Sequence, residues 1–489
     1  MIVDRIYEWA KRQPDKTAVI WNDVALSYRS FSNAIRAACD FFQRENLPVG
    51  GTAIVLVPGL LDAWIIVMAL RALGLNTISV RSIEQAESLK IRDVACIVIT
   101  QTGAAAENLA VKATSGTKVV AIPPSIYAVK DTNELLVVQH DVRPFGGHIL
   151  YTSGTTGTYK KILMRGEYEE GRNRARAQVL SLDGNIIWHV IDFGLWTSIG
   201  FKAPSATWYA GGCVVFDQRK ENYKNFFLHG VTFAMLLPWQ VKALLQAQGP
   251  LARPIDGFAL ATAGGFFPIA VAEQVIQRLT DKVTVYYGST ETSTIPLASR
   301  FSTKDDLHWL TPTDKRLTEI VDEDGRECAI DQEGELRLLL SDFDCRQYLD
   351  DGEASARAFR DGFFYPGDMA VRREDGRIRI LGRTADVVVL KGEKLATAPI
   401  EQAIQRDLQV DEVCLFSGLS EQGHEELIVA IQSDRKIQMS QLEAVARRFP
   451  RFDKVRFSIR SEFPRTETGL RKTKRALLKK MVFEELNRH

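Results

Sequence analysis

The chain has 489 residues, too many for a single hydrophobic core at roughly 100–200 residues per domain. Hydrophobic residues make up 45% and charged residues 25%, an ordinary globular balance that excludes a disordered chain, a collagen and a disulfide miniprotein. With 62 Lys and Arg against 61 Asp and Glu, no global charge draws the chain to nucleic acid or to an anionic membrane, so any phosphate affinity must come from a local site.

The first third alternates apolar runs with amphipathic stretches. A helical pattern through Phe31, Ile35, Ala38 and Phe42 precedes the continuous apolar run Ala53–Val57, which reads as a buried parallel strand. A helix over about 61–73 and strands at Thr77–Val80, Ala95–Thr100 and Lys118–Ile122 follow. The middle repeats the style, with strands at Gly212–Phe216, Thr232–Leu237 and Lys282–Tyr287 and helices at Pro238–Ala247 and Ile269–Leu279. Past Leu317 the texture turns β-rich, with a strand at Gly334–Leu340 and a hairpin over Met369–Leu381 turning at Asp375-Gly376. From Gly392 onward a small α+β pattern appears. The expected class is α/β: a large N-terminal domain of mostly parallel sheets packed with helices plus a β-rich subdomain, and a small mobile α+β C-terminal domain.

Cys39, Cys96, Cys213, Cys328, Cys345 and Cys414 form no CxxC pair, so they read as free thiols in a reducing cytosol. Residues 1–16 show no basic stretch followed by an apolar one, hence no signal peptide is expected. The longest clean apolar run, Ala63–Leu70, is far short of the ~18 residues that a membrane span needs. A cytoplasmic protein is the expectation.

The strongest chemical signal is Ile149-Leu-Tyr-Thr-Ser-Gly-Thr-Thr-Gly-Thr-Tyr-Lys160. A strand runs into a loop rich in hydroxyls and glycines and closed by a lysine. Glycines let backbone N–H groups converge on an anion, hydroxyls add donors, and the lysine supplies a point charge. The spacing is not that of a Walker A loop. The string resembles the phosphate loop of the adenylate-forming superfamily, which contains acyl- and aryl-CoA synthetases, peptide-synthetase adenylation domains and luciferases. The family usually has Pro-Lys-Gly where this chain has Tyr159-Lys160-Lys161. The resemblance implies ATP contacts from Thr152, Ser153, Gly154, Thr155, Thr156, Gly157 and Lys160.

Further strings fall in the family's order. Ala263-Gly-Gly-Phe-Phe-Pro268 resembles the segment lining the adenine and acyl pockets, which implies Gly264 on ATP and Gly265 on the acid. Val285-Tyr-Tyr-Gly-Ser-Thr-Glu291 resembles the YGxTE element. Tyr287 would offer its face to adenine, Gly288 would line the acid pocket, Thr290 would bond phosphate, and Glu291 would ligate Mg²⁺. Tyr365-Pro-Gly-Asp368 resembles the family's TGD, whose carboxylate accepts the ribose hydroxyls, and Gly382-Arg383 resembles the next element, whose arginine reaches ribose and phosphate. The resemblance divides the chain into a domain over 1–384 and a lid domain over 385–489, with a hinge at 384–386. Ala385 stands where the family hinge has Asp or Lys, and Asp386 follows it. Lys391 and Gly392 fall in the loop that contacts the incoming thiol's pantetheine arm.

Trp188-His-Val-Ile-Asp-Phe-Gly-Leu-Trp196 sits where the family builds its acid pocket. Ile191–Trp196 matches the Asp and Trp of the amino-acid members' FDxSxW, and a buried Asp192 beside Phe193 would bind a substrate ammonium. The alternatives are an uncharged aromatic or acyl acid, and a purely structural Asp192. Trp188, Phe193, Trp196, Phe266 and Phe267 favour a compact or aromatic pocket.

The implied reaction activates a small carboxylic acid with ATP and Mg²⁺ as an acyl adenylate. It then transfers the acyl group to CoA or to the phosphopantetheine of a carrier protein, with neither nucleic acid nor membrane as partner. One departure keeps other readings open: where the family has its C-terminal adenylation lysine, this chain has Leu470. In an extended segment Lys472 would face the site, about 6–7 Å further along. In a helix starting at Gly469, Lys474 would share the face of residue 470. Lys472 is taken as the substitute, and Lys160, Glu291 and Lys472 as the catalytic set. The alternative is an adenylate-binding protein, or an adenylating enzyme with an unusual acceptor.

Overall fold

A computed structural model describes residues 1–100, 117–123, 145–153, 159–250, 253–301, 303, 307–313, 316–384, 387–390, 393–419, 425–449, 454–466 and 472–486. The chain packs as two compact units. One comprises Met1–Thr152, Tyr159–Lys315 and Leu340–Ala356; the other comprises Ser153–Thr158, Arg316–Leu339 and Arg357–His489. The expected hinge at 384–386 falls within the second unit, and Ala385 and Asp386 lie outside the described residues.

The first unit holds two sheets. In the larger, Val283–Tyr287, Ala259–Ala263, Phe233–Leu236, Ile187–His189, Cys213–Phe216 and Thr17–Trp21 lie side by side and parallel. Antiparallel strands close its edges: Leu297–Arg300 and Thr311–Pro312 on one side, Val24–Ser27 on the other. The second sheet has the order Lys118–Ile122, Val94–Thr100, Thr52–Leu56, Asn76–Ser79, His148–Ser153 and Tyr159–Met164. Cys213–Phe216 and Phe233–Leu236 are buried at every position. Strands covered on both faces carry no polar alternation, which is why the sequence shows them as unbroken apolar runs.

The helix Leu60–Ala72 is buried everywhere but at Asp62 and Ala72. Its Trp64 stacks on Phe201 at 5.5 Å and meets Trp208 edge-on at 5.1 Å, both on the helix Ser198–Ala210. Arg71, at the end of this apolar helix, is fully buried and pairs with Glu169 at 2.8 Å. Its Nε donates to the Gly146 carbonyl at 3.0 Å. A Cβ at Gly146 would lie 1.6 Å from the Leu75 carbonyl oxygen, so this junction admits only glycine. All six cysteines are free, and no helix among the described residues is long and apolar enough to cross a membrane.

The second unit combines a six-stranded sheet (Thr318–Val321, Gly334–Leu339, Phe359–Arg360, Phe363–Phe364, Asp368–Arg372 and Ile378–Arg383) with a three-stranded one. In the latter, Glu412–Leu419 runs antiparallel to Glu425–Gln432, which runs parallel to Lys454–Arg460. Alternation divides its side chains between two cores. Val413, Leu415, Leu427, Val429 and Ile431 pack with Ile404, Leu442 and Val445 on one face. Cys414, Phe416, Ile428 and Ala430 pack with Phe463, Leu478 and Val482 on the other.

His148 opens the strand that leads into the expected phosphate loop. Its ring is buried and stacks on Phe201 at 4.3 Å. Nε2–H donates to the Leu195 carbonyl at 3.0 Å, which leaves Nδ1 to accept from the Thr77 hydroxyl at 2.8 Å. Burial pushes this histidine down to about 3 and His189 down to about 4. Both rings are neutral in the fold and take up a proton on unfolding once the pH is below the ordinary histidine value. Stability is therefore complete above about pH 6.5 and declines as the pH falls towards the folded-state values, by about 2 kcal/mol per ring at pH 5. Urea melts of the parent and of His148→Gln at pH 5 and pH 7 should show a smaller acid loss in the variant. Equal losses in the two proteins would contradict this assignment.

Candidate functional site

The carboxyl ends of three strands, one in the smaller sheet and two in the larger, carry expected site residues. His148–Ser153 ends at Thr152 and Ser153, Ala259–Ala263 runs into Gly264 and Gly265, and Val283–Tyr287 runs into Gly288–Glu291. The last two strands are adjacent, with Ala263 paired to Tyr286, so their end loops emerge side by side. Open parallel sheets present their ligand-binding loops in this way. Gly264 has φ +81°, a conformation that a side chain would strain. Gly154, Thr155, Thr156 and Gly157 lie outside the described residues.

Lys160 and Glu291 come together around Tyr348, a residue that no motif marked. The Lys160 ammonium lies 4.8 Å from the centroid of the Tyr348 ring. The Tyr348 hydroxyl donates to Glu291 Oε1 at 2.7 Å. Among the described residues no cluster of three acidic, His or Cys side chains could cage a metal. A single anchored carboxylate on a strand-end loop suits Mg²⁺, which keeps several waters and shares its remaining positions with substrate phosphates.

The loop carrying Thr290 and Glu291 is held by buried charge. Lys202 Nζ donates to the Thr290 and Thr292 carbonyls, each at 2.9 Å. Arg176 Nη2 donates to the Ser293 carbonyl at 2.6 Å, and Asp344 Oδ1 accepts from the Ser293 amide at 2.7 Å. Burial pushes the Lys202 ammonium well below the ordinary lysine value, with Arg176 and Arg172 adding to the effect. A lone lysine in the apolar stretch Ser198–Ala210 was the available sequence signal for this tether.

Around the expected acid pocket the residues separate. Trp188 is buried against Phe233, their rings 4.6 Å apart, and Phe267 is buried in the core. Phe193 is also buried. Phe266 is exposed and stacks on His308 at 4.3 Å. Trp196 is half-buried beneath the Arg81 guanidinium, 5.8 Å from its ring centroid. Asp192 is exposed, in contrast to the buried carboxylate that ammonium binding requires. Its backbone has φ +60°, Oδ1 accepts from Asn222 at 3.1 Å, and Oδ2 accepts from the Tyr223 hydroxyl at 2.8 Å. Both donors are neutral.

In the second unit Asp368 is buried and pairs with Arg383, Oδ1 to Nε 3.1 Å, across adjacent strands. Lys391, Gly392 and Leu470 lie outside the described residues. Lys472 lies in a short segment that pairs antiparallel with residues 464–466: its carbonyl accepts from the Thr466 amide at 2.8 Å, and the Lys474 amide donates to the Pro464 carbonyl at 2.7 Å. The Thr473 hydroxyl bonds to Glu412 and to Arg465, whereas Lys472 and Lys474 on either side of it are exposed. The helix begins at Arg475, so Lys474 precedes it.

The family model described as AMP-binding enzyme matches residues 6–338. A peroxisomal trans-cinnamate:CoA ligase of Petunia hybrida is 25% identical over 287 residues, 55% of this chain and 50% of that protein. The chain spans about half the length of the first curated relatives it matches. The O-succinylbenzoate coenzyme A synthetase of Bacillus subtilis, solved with ATP and a magnesium ion, superposes with a TM-score of 0.78 at 19% identity, covering 97% of this chain and 99% of that one. The amide bond synthetase of Marinactinospora thermotolerans superposes with a TM-score of 0.82 at 16% identity, covering 98% of this chain and 99% of that one. At such identities the two structures establish the fold.

Asp344 is the residue whose loss should be felt most. Its other oxygen accepts from the Ser341 amide at 2.8 Å, and it offsets a region where Arg71, Arg172, Arg176 and Lys202 are all buried. Asp344→Ala should cost about 3–5 kcal/mol, because it orphans the buried Ser293 amide and the half-buried Ser341 amide and removes a carboxylate from among cations. Asp344→Asn should lose less. Denaturant unfolding measures both, and an alanine variant as stable as the parent would show that the loop is held by other means.

Proposed function

Since the chain belongs to the family of AMP-binding enzymes, we propose that it activates a small carboxylic acid with ATP and passes the acyl group to a thiol. The observation that carries this reading is the convergence of Lys160, at the start of the strand Tyr159–Met164, and Glu291 around Tyr348. A cation for phosphate oxygens and a carboxylate for a phosphate-bound metal are what adenylation asks of a site. An oxygen of the acid attacks the α-phosphorus, the bond to the bridging oxygen of the β-phosphate breaks, and pyrophosphate leaves. Lys160 and the Thr290 hydroxyl hold phosphate oxygens in line for that displacement, with Thr152, Ser153 and the glycines of the loop cradling them. Mg²⁺ at Glu291 would neutralise the charge that develops on the leaving pyrophosphate. Tyr287 and Gly264 border adenine, and Asp368 and Arg383 serve the ribose. In the second step the thiol sulfur attacks the acyl carbon and AMP leaves. The thiol is CoA or a carrier-protein pantetheine, received at Lys391 and Gly392.

The acid in this reading is an uncharged aromatic or acyl acid. Asp192 is exposed and satisfied by two neutral donors, a setting that gives a substrate ammonium no desolvated partner. Phe193, Gly265 and Gly288 then border the acid. Lys472 takes the part of the lysine absent at 470, because Thr473 points into the unit and Lys472 stays exposed.

Acid-dependent pyrophosphate release, assayed across aryl, acyl and amino acids, tests these points together. Lys160→Ala and Glu291→Gln should each lose roughly 10²–10³ in rate with the fold intact. Lys472→Ala should slow adenylation more than thioester formation from a supplied acyl adenylate. Near-parental release in both of the first two variants would sink the ligase reading, and a preference for amino acids would overturn the assigned acid class.

A further inference from the structure

Tyr348 occupies a position that two opposite charges would otherwise contest. Lys160 and Glu291 both lie against it, one on its ring face and one on its hydroxyl, and among the described residues no ion pair joins them. A direct pair would neutralise both groups and would have to break whenever nucleotide and metal arrived. A ring face and a phenol hydroxyl hold the same charges more weakly and leave their outward sides available.

The backbone explains why Tyr348 sits there. Three residues earlier, the Cys345 amide donates to the Glu291 carbonyl at 3.1 Å. One residue later, the Leu349 amide donates to the Lys161 carbonyl at 2.9 Å. Lys161 Nζ then bonds to Asp350 at 2.8 Å and to the Lys90 carbonyl at 3.2 Å. The segment 345–350 is thus fastened at one end to the loop of Glu291 and at the other to the strand of Lys160. The Tyr348 amide accepts a further restraint by donating to Ser355 Oγ at 2.9 Å. Tyr348 as a whole is 4% exposed.

We propose that Tyr348 is a positioning residue that keeps the phosphate lysine and the metal carboxylate apart and aimed at the nucleotide. The proposal rests on the ligase reading for what the two groups bind, but its geometry stands apart from the identity of the acid. Two separable effects follow. The hydroxyl fixes the Glu291 carboxylate and so governs the Mg²⁺ requirement. The ring face parks Lys160 and so governs affinity for ATP.

Tyr348→Phe removes the first and keeps the second, and Tyr348→Leu removes both. Calorimetric ATP binding at increasing Mg²⁺ reads them without requiring turnover. The Phe variant should need roughly tenfold more Mg²⁺ for half-maximal binding, the worth of one hydrogen bond to a charged group. Its affinity for metal-free ATP should match that of the parent. The Leu variant should also bind metal-free ATP roughly two- to fivefold more weakly, the worth of a lost cation–π contact. In turnover, the Mg²⁺ requirement of the Phe variant should rise far more than its maximal rate falls. Because Phe preserves shape, its unfolding midpoint should stay near that of the parent, so the test does not depend on the Leu variant folding. A Phe variant with parental Mg²⁺ dependence overturns the role of Tyr348 and leaves the ligase reading in place. A parent that binds Mg²⁺ and ATP but releases no pyrophosphate with any acid overturns the ligase reading and still tests Tyr348. A parent that binds no nucleotide overturns both.

Discussion

Three charged side chains hold four backbone groups of a single short loop. Lys202 and Arg176 donate to the carbonyls of Thr290, Thr292 and Ser293, and Asp344 accepts from the Ser293 amide. Strand-end loops usually satisfy their backbone with water and remain adjustable. Here the water has been replaced by side chains fixed in the core, two of them on the helices Glu169–Val179 and Ser198–Ala210. The position of Thr290 and Glu291 is therefore set by helix packing beneath them. The cost is a concentration of buried positive charge, in which Arg71 has its own carboxylate in Glu169 and Arg172 donates to the Arg165 carbonyl. Burying this much charge is acceptable only where hydrogen bonds satisfy it, so the helices and the loop are linked by more than apolar contact.

The sequence was most legible where burial is simplest. A strand covered on both faces must be apolar throughout, so Cys213–Phe216 and Phe233–Leu236 could be recognised to within a residue or two. The loops at strand ends were legible for the opposite reason, since glycines and hydroxyls crowd where backbone must meet an anion. The helix Glu169–Val179 escaped because its sequence, EEGRNRARAQV, reads as a solvated face, although Glu169, Arg172, Asn173 and Arg176 are buried. Hydropathy assumes that charge faces water, and pairing inside the unit overrides that assumption. Tyr348 escaped because its importance lies in what two distant segments bring against it, which no local pattern records.

The second unit shows how far a simple alternation reaches. Residues 413 and 415 face one core, and 414 and 416 face the other. Arg475, at the start of the final helix, bonds to Glu401, Thr397 and the Leu415 carbonyl, so this helix is tied by charge to the helix Thr397–Leu408. The same period-two logic sorts the residues just before it. Thr473 turns inward to Glu412, which leaves its neighbours Lys472 and Lys474 to the exposed side.

The backbone at Asp192 has a consequence for how substrate choice could drift. With φ at +60°, the position is comfortable only for glycine, asparagine and aspartate, and a branched or bulky residue there would carry strain. Most single-base changes at this codon therefore lead to unfavourable backbone, whatever they would offer a ligand. Variation in the acid accepted has easier routes through positions without that restriction, such as Phe193 or the Phe266 ring over His308. Asp192 would then persist through lineages of changing specificity because of the path the chain takes, and its retention would say little about the molecule being bound.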